Sequence, residues 1–391
     1  MSAQDPHAVN SLRAGDADPV TGRVRWDPVH SLWNGSMLAA ALVLGPPTFS
    51  PGALAVFLLT TGAGLLLGHS VGFHRRLIHG SFECPLWLER ILVWFGTAVG
   101  MSGPFWMIRT HDLRDWAQRR PDCHDYLAHR RPMPIDAWWQ IHCRLELDRP
   151  PSFDLGRIGR DPFYRFLERT WMVQQAPIAL ALFWLGGLPW VVWGVCARVS
   201  ASVTGHWFVG HLAHSRGPQS WLVDGAGVQA HDVPWAAIPT MGEAWHNNHH
   251  AFPGSAKIGL YPGQHDWGWL FICLLERLGV AWNIRTPETL AKRKALTRVG
   301  DRSDRIRGSA PSGSIASFVT APAFASARRG QPRKTIPRIL PCEASLHFGA
   351  HGSRPSRGRR QGLSIVDDVH EIAGRIAKKE AAESQSSRTG P

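Results

Sequence analysis

The 391-residue chain contains no Cys-x-x-Cys pair, no His-Glu-x-x-His and no His-Pro-Gly-Gly. Its six cysteines, at 84, 123, 143, 196, 273 and 342, follow no regular spacing. Neither a zinc knuckle, a disulfide framework nor an iron-sulfur run is therefore indicated. Without His-Glu-x-x-His a zinc metalloprotease is excluded, and without a haem or flavin fingerprint the chain offers no electron carrier of its own. Residues 1–30 are polar, carry Asp16, Asp18 and Pro19, and have no apolar stretch before a small-residue cleavage site, so no secretory signal is expected.

Net charge is also scarce outside the C-terminal quarter. Of the formal +13, residues 291–391 supply +12, with 20 Lys and Arg against 8 Asp and Glu. The rest is close to neutral, so basicity does not mark it for nucleic acid, which is not an expected partner. The tail is rich in Ser, Arg, Pro and Gly and is expected to be largely disordered. One stretch, 365–381, repeats Ile365, Val369, Ile372 and Ile376 at helical spacing.

What the chain has in quantity is tryptophan, 19 residues, together with long apolar runs, a combination typical of rings at a membrane-water boundary. Runs at 31–48, 51–72, 170–186 and 188–210 approach the ~20 residues that a span requires. Uncharged Gly and Pro turns, Gly45-Pro46-Pro47 and Gly186-Gly187-Leu188-Pro189, join them into two hairpins. The segment from Arg109 to Arg169 holds 12 Arg, and Arg13, Arg23 and Arg25 precede the first run. Both termini and the long loops are thus expected on the cytoplasmic side. The apolar stretch from Pro85 to Met107 is long enough to cross, but crossing would separate His79 from His111. If both serve one metal centre, it returns to the side it left, packed on protein.

The histidines concentrate beside these runs in three clusters: His74-Arg-Arg-Leu-Ile-His79 preceded by His69, then His111-Asp112 continuing through His124 and His129, and His246-Asn-Asn-His249-His250. Neutral imidazole is a borderline donor that supports both ferrous and ferric iron without an oxidisable thiolate. On a helix, residues i, i+3 and i+4 of the last cluster share a face, so one turn can serve one or two ions. Isolated histidines such as His7, His30, His347 and His351 read as polar surface positions.

In two stretches, Gly72-Phe-His-Arg and Gly242-Glu-Ala-Trp-His-Asn-Asn-His-His-Ala-Phe-Pro, the wording beyond the histidines resembles the acyl-CoA desaturase family of membrane fatty-acid desaturases. The resemblance covers about residues 30–290. It implies an all-α integral membrane fold of four transmembrane helices in two hairpins under a cytosolic histidine-rich helical cap. It divides the chain into a polar N-terminal segment at 1–30, a desaturase-like domain at 31–290 and the basic tail. It also implies two iron ions, O2 as co-substrate, a cis double bond placed in a saturated acyl chain carried by CoA or a lipid, and an external electron donor such as ferredoxin or a haem protein. The ligands it implies are His74, His79, His111, His214, His246, His249 and His250.

Two departures stand out. Where the family has an HxxHH middle box this chain reads His111-Asp112-Leu113-Arg114-Asp115, and where an asparagine is common one turn before His214 it has Gly210. His69 and His206 are the candidates to replace the missing imidazoles, with Asp115 as a carboxylate donor, and His211, His124 and His129 are further candidates. An apolar tunnel is expected for the acyl chain, with Trp94, Phe105, Trp106 and Trp171 as candidate lining. A di-iron fatty-acid hydroxylase and a catalytically inactive lipid-binding member of the fold remain alternatives.

Overall fold

A computed structural model describes residues 11–300, which are mainly helical with three small two-stranded antiparallel sheets. Helix α1 (Pro28–Leu44) starts where the Asp27 carboxylate accepts from the backbone amides of Val29 and His30, with proline at the first helical position. Helix α2 (Pro51–Ile78) starts in the same way at Ser50 and Pro51. Its second half, Gly64–Ile78, is wound as a π-helix.

Helix α3 (Leu86–Ala98) folds back along this π-segment at close range. A Cβ at Gly72 would lie 2.5 Å from the carbonyl oxygen of Leu92, and one at Gly96 would lie 2.7 Å from the ring of Phe73. Alanine at Gly72 is therefore expected to lower stability by at least about 1–3 kcal/mol through overpacking against backbone, readable as a lower melting temperature in detergent. After a turn at Gly100, helix α4 (Pro104–Gln118) carries His111 back to the end of α2. The stretch from Pro85 to Met107 thus keeps His79 and His111 together, their ring centroids 4.8 Å apart.

Among the described residues, two helical runs are long and apolar enough to cross a membrane, α2 and Gln175–Ala213. The second contains Gly187 at φ 69°, a backbone conformation outside the helical region, which breaks it into two arms. The arms pack on each other and on α2: a Cβ at Gly194 would lie 2.5 Å from Leu182 and 2.8 Å from Val56. The outward faces of these helices are bare hydrocarbon, with Leu59, Leu180 and Trp184 each at least 70% exposed. One charge lies within the second arm. Arg198 is buried, and its guanidinium donates to the carbonyl oxygens of Gly194 and Ala98 at 2.6 and 2.5 Å and to the side chain of Gln175. Carbonyl partners of this kind offset the cost of burying a charge among apolar helices.

Between the two runs lie a single turn, α5 (Asp125–Ala128), and helix α6 (Met133–His142). The second run, Gln175–Ala213, is helix α7, and α8 (His246–Ala251) and α9 (Trp267–Arg277) come after it. Strands β1 (Leu12–Arg13) and β4 (Ser152–Phe153) pair, as do β2 (Gly22–Trp26) and β3 (Cys143–Leu147), the latter in the register Gly22 to Leu147 and Trp26 to Cys143. From residue 11 onward the polar N-terminal segment is thus folded onto the domain, and Ser11 donates to the Asp112 carboxylate from both its amide, at 3.0 Å, and its hydroxyl, at 2.5 Å.

Strand β5 (Trp221–Val223) pairs with β6 (Leu296–Arg298). The guanidinium of Arg293 donates to the carbonyl oxygen of His250 at 2.9 Å, so ordered contacts continue past the boundary expected at residue 290. A three-residue strand has no period long enough to show in the sequence. The stretch 365–381, His7, His347, His351 and Cys342 lie outside the described residues.

His30 corrects the surface expectation. Its ring lies 4.9 Å from that of Trp106 and 5.4 Å from that of Trp171, and Nδ1 is 3.0 Å from the Asp27 carboxylate. Because Asp27 caps α1, the first turn of that helix turns His30 inward onto the two indoles.

Candidate metal centre

The seven histidines implied as ligands fall into two adjacent groups. His74, His79, His111 and His249 form one, and His214, His246 and His250 the other, with the donor atoms in each within 4.8 Å of one another. Metal-imidazole bonds of about 2 Å allow two donors on one ion to stand about 4 Å apart, so each group needs only a small inward movement to hold an ion. The groups adjoin through α8, where the rings of His246 and His249 lie 5.7 Å apart and those of His249 and His250 5.6 Å.

Local winding explains how the first group forms. Residues five apart, such as His74 and His79, diverge on an α-helix, whereas a π-helix bonds i to i+5. The amide of His79 donates to the carbonyl oxygen of His74 at 3.1 Å, and their rings come within 4.9 Å. His249 of α8 faces them, its Nε2 3.3 Å from Nε2 of His74. His111 joins from α4, and in the second group Nε2 of His246 lies 3.2 Å from Nε2 of His214.

The donors suit a metal ion electronically. Nε2 of His79, Nδ1 of His249 and Nε2 of His250 are buried with no hydrogen-bond partner among the described residues, a costly state unless a ligand satisfies them. Burial pushes His246 down to about 3 and holds His79, His249 and His250 well below the usual imidazole range. Neutral imidazole is the form that coordinates.

A polar layer behind the donors fixes them. Glu243 places Oε2 2.5 Å from Nδ1 of His74, while its Oε1 accepts from the hydroxyl of Ser70 at 2.5 Å and from Arg75 at 3.2 Å. In α8 the two asparagines hold scaffold. Asn247 accepts from the amides of Ser220 and Trp221 at 2.8 and 3.0 Å and donates to the carbonyls of Trp221 and Ala230, and Asn248 donates to Ile258 and Gln264. Sequence reasoning gave no role to Glu243, Asn247 or Asn248, although all three stand inside the Gly242-to-Pro253 motif.

The remaining candidates are placed apart. His69 and His206 face each other with ring centroids 5.0 Å apart and belong to neither group. Nδ1 of His124 accepts from the amide of Tyr126 and so caps α5. His129 and His211 both converge on Asp136. Asp115 accepts from Arg119 at 3.1 Å through Oδ2, and its Oδ1 faces Nε2 of His250 at 3.9 Å. Burial works to raise Asp115, but His111 and Arg119 hold it below the usual carboxylate range. Of the tunnel candidates, Trp171 is buried, Trp94 donates to Gln174 at 3.1 Å, Phe105 is partly buried in the core and Trp106 is 37% exposed.

Comparison with known proteins gives the family. The family model described as fatty acid desaturase matches residues 47–257. The chain is similar to the sn-1 stearoyl-lipid 9-desaturase of Anabaena variabilis, 34% identical over 65% of this chain and 92% of that protein. It is similar to the sn-2 palmitoyl-lipid 9-desaturase of Nostoc sp. (strain 36), 33% identical over 66% of this chain and 90% of that protein. It is also similar to the Acyl-CoA C20 Delta5-desaturase of Anemone leveillei, 31% identical over 68% of this chain and 85% of that protein. With two clusters of buried and half-buried imidazoles beside apolar helices and more than half its length matched by one family model, the chain belongs to the fatty acid desaturase family and is an oxidoreductase of fatty acyl chains.

Proposed function

We propose that this protein is a multi-pass membrane desaturase that uses O2 and two histidine-held iron ions to place a cis double bond in a saturated acyl chain. The observation that carries this reading is the side-by-side pairing of the two imidazole groups. His74, His79, His111 and His249 would hold one ion, and His214, His246 and His250 the other, with Oδ1 of Asp115 beside them at 3.9 Å from Nε2 of His250. When bound, the iron pair supplies the O2-derived oxidant that an unactivated methylene C–H bond demands and no side chain can provide.

The chain's own residues orient and exclude. Glu243 keeps His74 turned toward His249, and the asparagines of α8 lock three imidazoles on one turn. Helix α1, helix α2 and the two arms of α7 would be the four spans, paired as hairpins, with the histidine-bearing ends and both termini on the cytoplasmic side. The Arg-rich segment 109–169 supports that orientation. Electrons would come from a separate protein such as a ferredoxin or a haem protein.

The relatives act on acyl groups carried by lipids or by CoA according to their names, and the lipid-linked class, shared by the Anabaena variabilis and Nostoc proteins, is the favoured reading. Fatty-acid profiling of a host with and without the expressed chain tests it. A new monounsaturated species, appearing first in intact membrane lipid, is expected. A hydroxylated product in its place would assign the protein to hydroxylation, and an unchanged profile from iron-loaded protein supplied with reductant would overturn both.

A further inference from the structure

The second donor group is short of imidazoles, because the middle box supplies only His111 and Gly210 has no side chain. The geometry points to His129 as the replacement: its Nε2 holds the second metal ion together with His214, His246 and His250. This inference rests on the di-iron reading above and names a ligand that lies in none of the three histidine boxes.

His129 ends the single turn α5 in the left-handed backbone region, at φ 52°. That conformation is uncommon for a residue with a Cβ and persists where the surroundings fix it. Its side chain is 1% exposed. Nδ1 lies 2.9 Å from Oδ2 of Asp136, a carboxylate that only accepts, so Nδ1 carries the proton and Nε2 the lone pair. Nε2 is buried and has no hydrogen-bond partner among the described residues.

Two neighbours place the His129 ring beside the second group. The His129 ring lies parallel to that of His214, at 10° and 5.3 Å between centroids. A Cβ built on Gly210, one turn before His214, would come 3.9 Å from Nε2 of His129. The missing side chain at 210 therefore leaves the space that His129 enters from another element. His69 and His206, the pair favoured on sequence grounds, face each other instead.

The cluster of His129, Asp136 and His211 is an anchor, and reading it as a third ion site overlooks its hydrogen bonds. A single oxygen, Oδ2 of Asp136, accepts from Nδ1 of His129, Nδ1 of His211 and Nε1 of Trp207, each at 2.9 Å. A carboxylate that orients an imidazole whose far nitrogen is free is the arrangement found behind metal-ligating histidines. Asp136 is accordingly a positioning residue, acting through His129.

Metal content of the full-length protein in detergent tests the assignment without reference to turnover. Wild-type protein and the variants His129→Ala, His129→Gln, Asp136→Asn and His206→Ala are loaded with Fe(II), desalted and counted for iron, with helicity followed by circular dichroism. Wild type and His206→Ala are expected to retain about two irons per chain. Both His129 variants should fall to about one at unchanged helicity, and Asp136→Asn should weaken the second iron by about 10–100-fold. Two irons retained in both His129 variants would overturn the inference and leave the di-iron reading standing. So would retention in His129→Gln alone, which would mean packing, or loss of both irons in both variants, which would mean collapse. Wild-type protein without iron would instead defeat the di-iron reading itself.

Discussion

Alanine at His249 is expected to abolish desaturation, by well over about 100-fold, and to reduce bound iron from about two per chain to about one or fewer. Loss of a group that merely orients a ligand costs about 10–100-fold in metal affinity or activity, so loss of the ligand costs more. His249 is the most consequential of the seven because of where it stands. It is 2% exposed, its Nε2 is 3.3 Å from Nε2 of His74, and its ring lies within 6.1 Å of those of His79, His111, His246 and His250. Removing it opens the wall between the two donor groups as well as one vertex of the first. The measurement pairs a fatty-acid profile with an iron count. Unsaturated product near the wild-type level from protein carrying two irons would show that the pairing of the groups is not what performs the chemistry.

Much of this site was legible because its residue types are unusual where they occur. Clustered imidazoles beside apolar runs gain little from packing, and all seven histidines that the resemblance implies as ligands fall into the two groups. The spacing of His74 and His79 hid the geometry that makes it work, since an α-helical reading turns them apart and only π-winding turns them together. The second apolar pair was readable as two runs because Gly186, Gly187 and Pro189 announce a break, and Gly187 supplies it.

What the sequence concealed depends on contacts far apart along the chain. His206 looked well placed by its periodicity one turn before Gly210, yet it pairs with His69. His129 was only one of several further candidates, because it sits in a polar segment with no period and its place depends on Asp136 and on a glycine 81 positions later. His30 looked like surface because it is isolated in the sequence, and only the fold brings Trp106 and Trp171 against its ring. The roles of Glu243 and Arg75 were equally hidden, because a charged residue in a motif gives no sign of its partner.

Arg75→Ala should destabilise the protein by about 3–5 kcal/mol, a large share of the ~5–15 kcal/mol that holds a domain folded. The Arg75 guanidinium is 1% exposed and donates to Asp266 at 2.7 Å, to Glu243 at 3.2 Å and to the carbonyl oxygen of Ala256 at 2.6 Å. Its removal takes the balancing charge from buried Asp266 and half-buried Glu243. Glu243 is held well below the usual carboxylate range, against the upward push of burial, by His74 and Arg75 together. Arg75→Lys keeps the charge but loses the fork that reaches three acceptors at once, so it should recover only part of the stability. Glu243→Gln separates the two roles of the network. It retains a similar shape and can still accept from Arg75 and Ser70, but it takes the carboxylate from Nδ1 of His74, so metal affinity should fall about 10–100-fold while melting changes less than in Arg75→Ala. Thermal unfolding and iron titration of the three variants give the comparison. Equal melting losses in Arg75→Ala and Glu243→Gln with unchanged affinity would mean that the network supports the fold alone and has no part in aiming His74 at the metal.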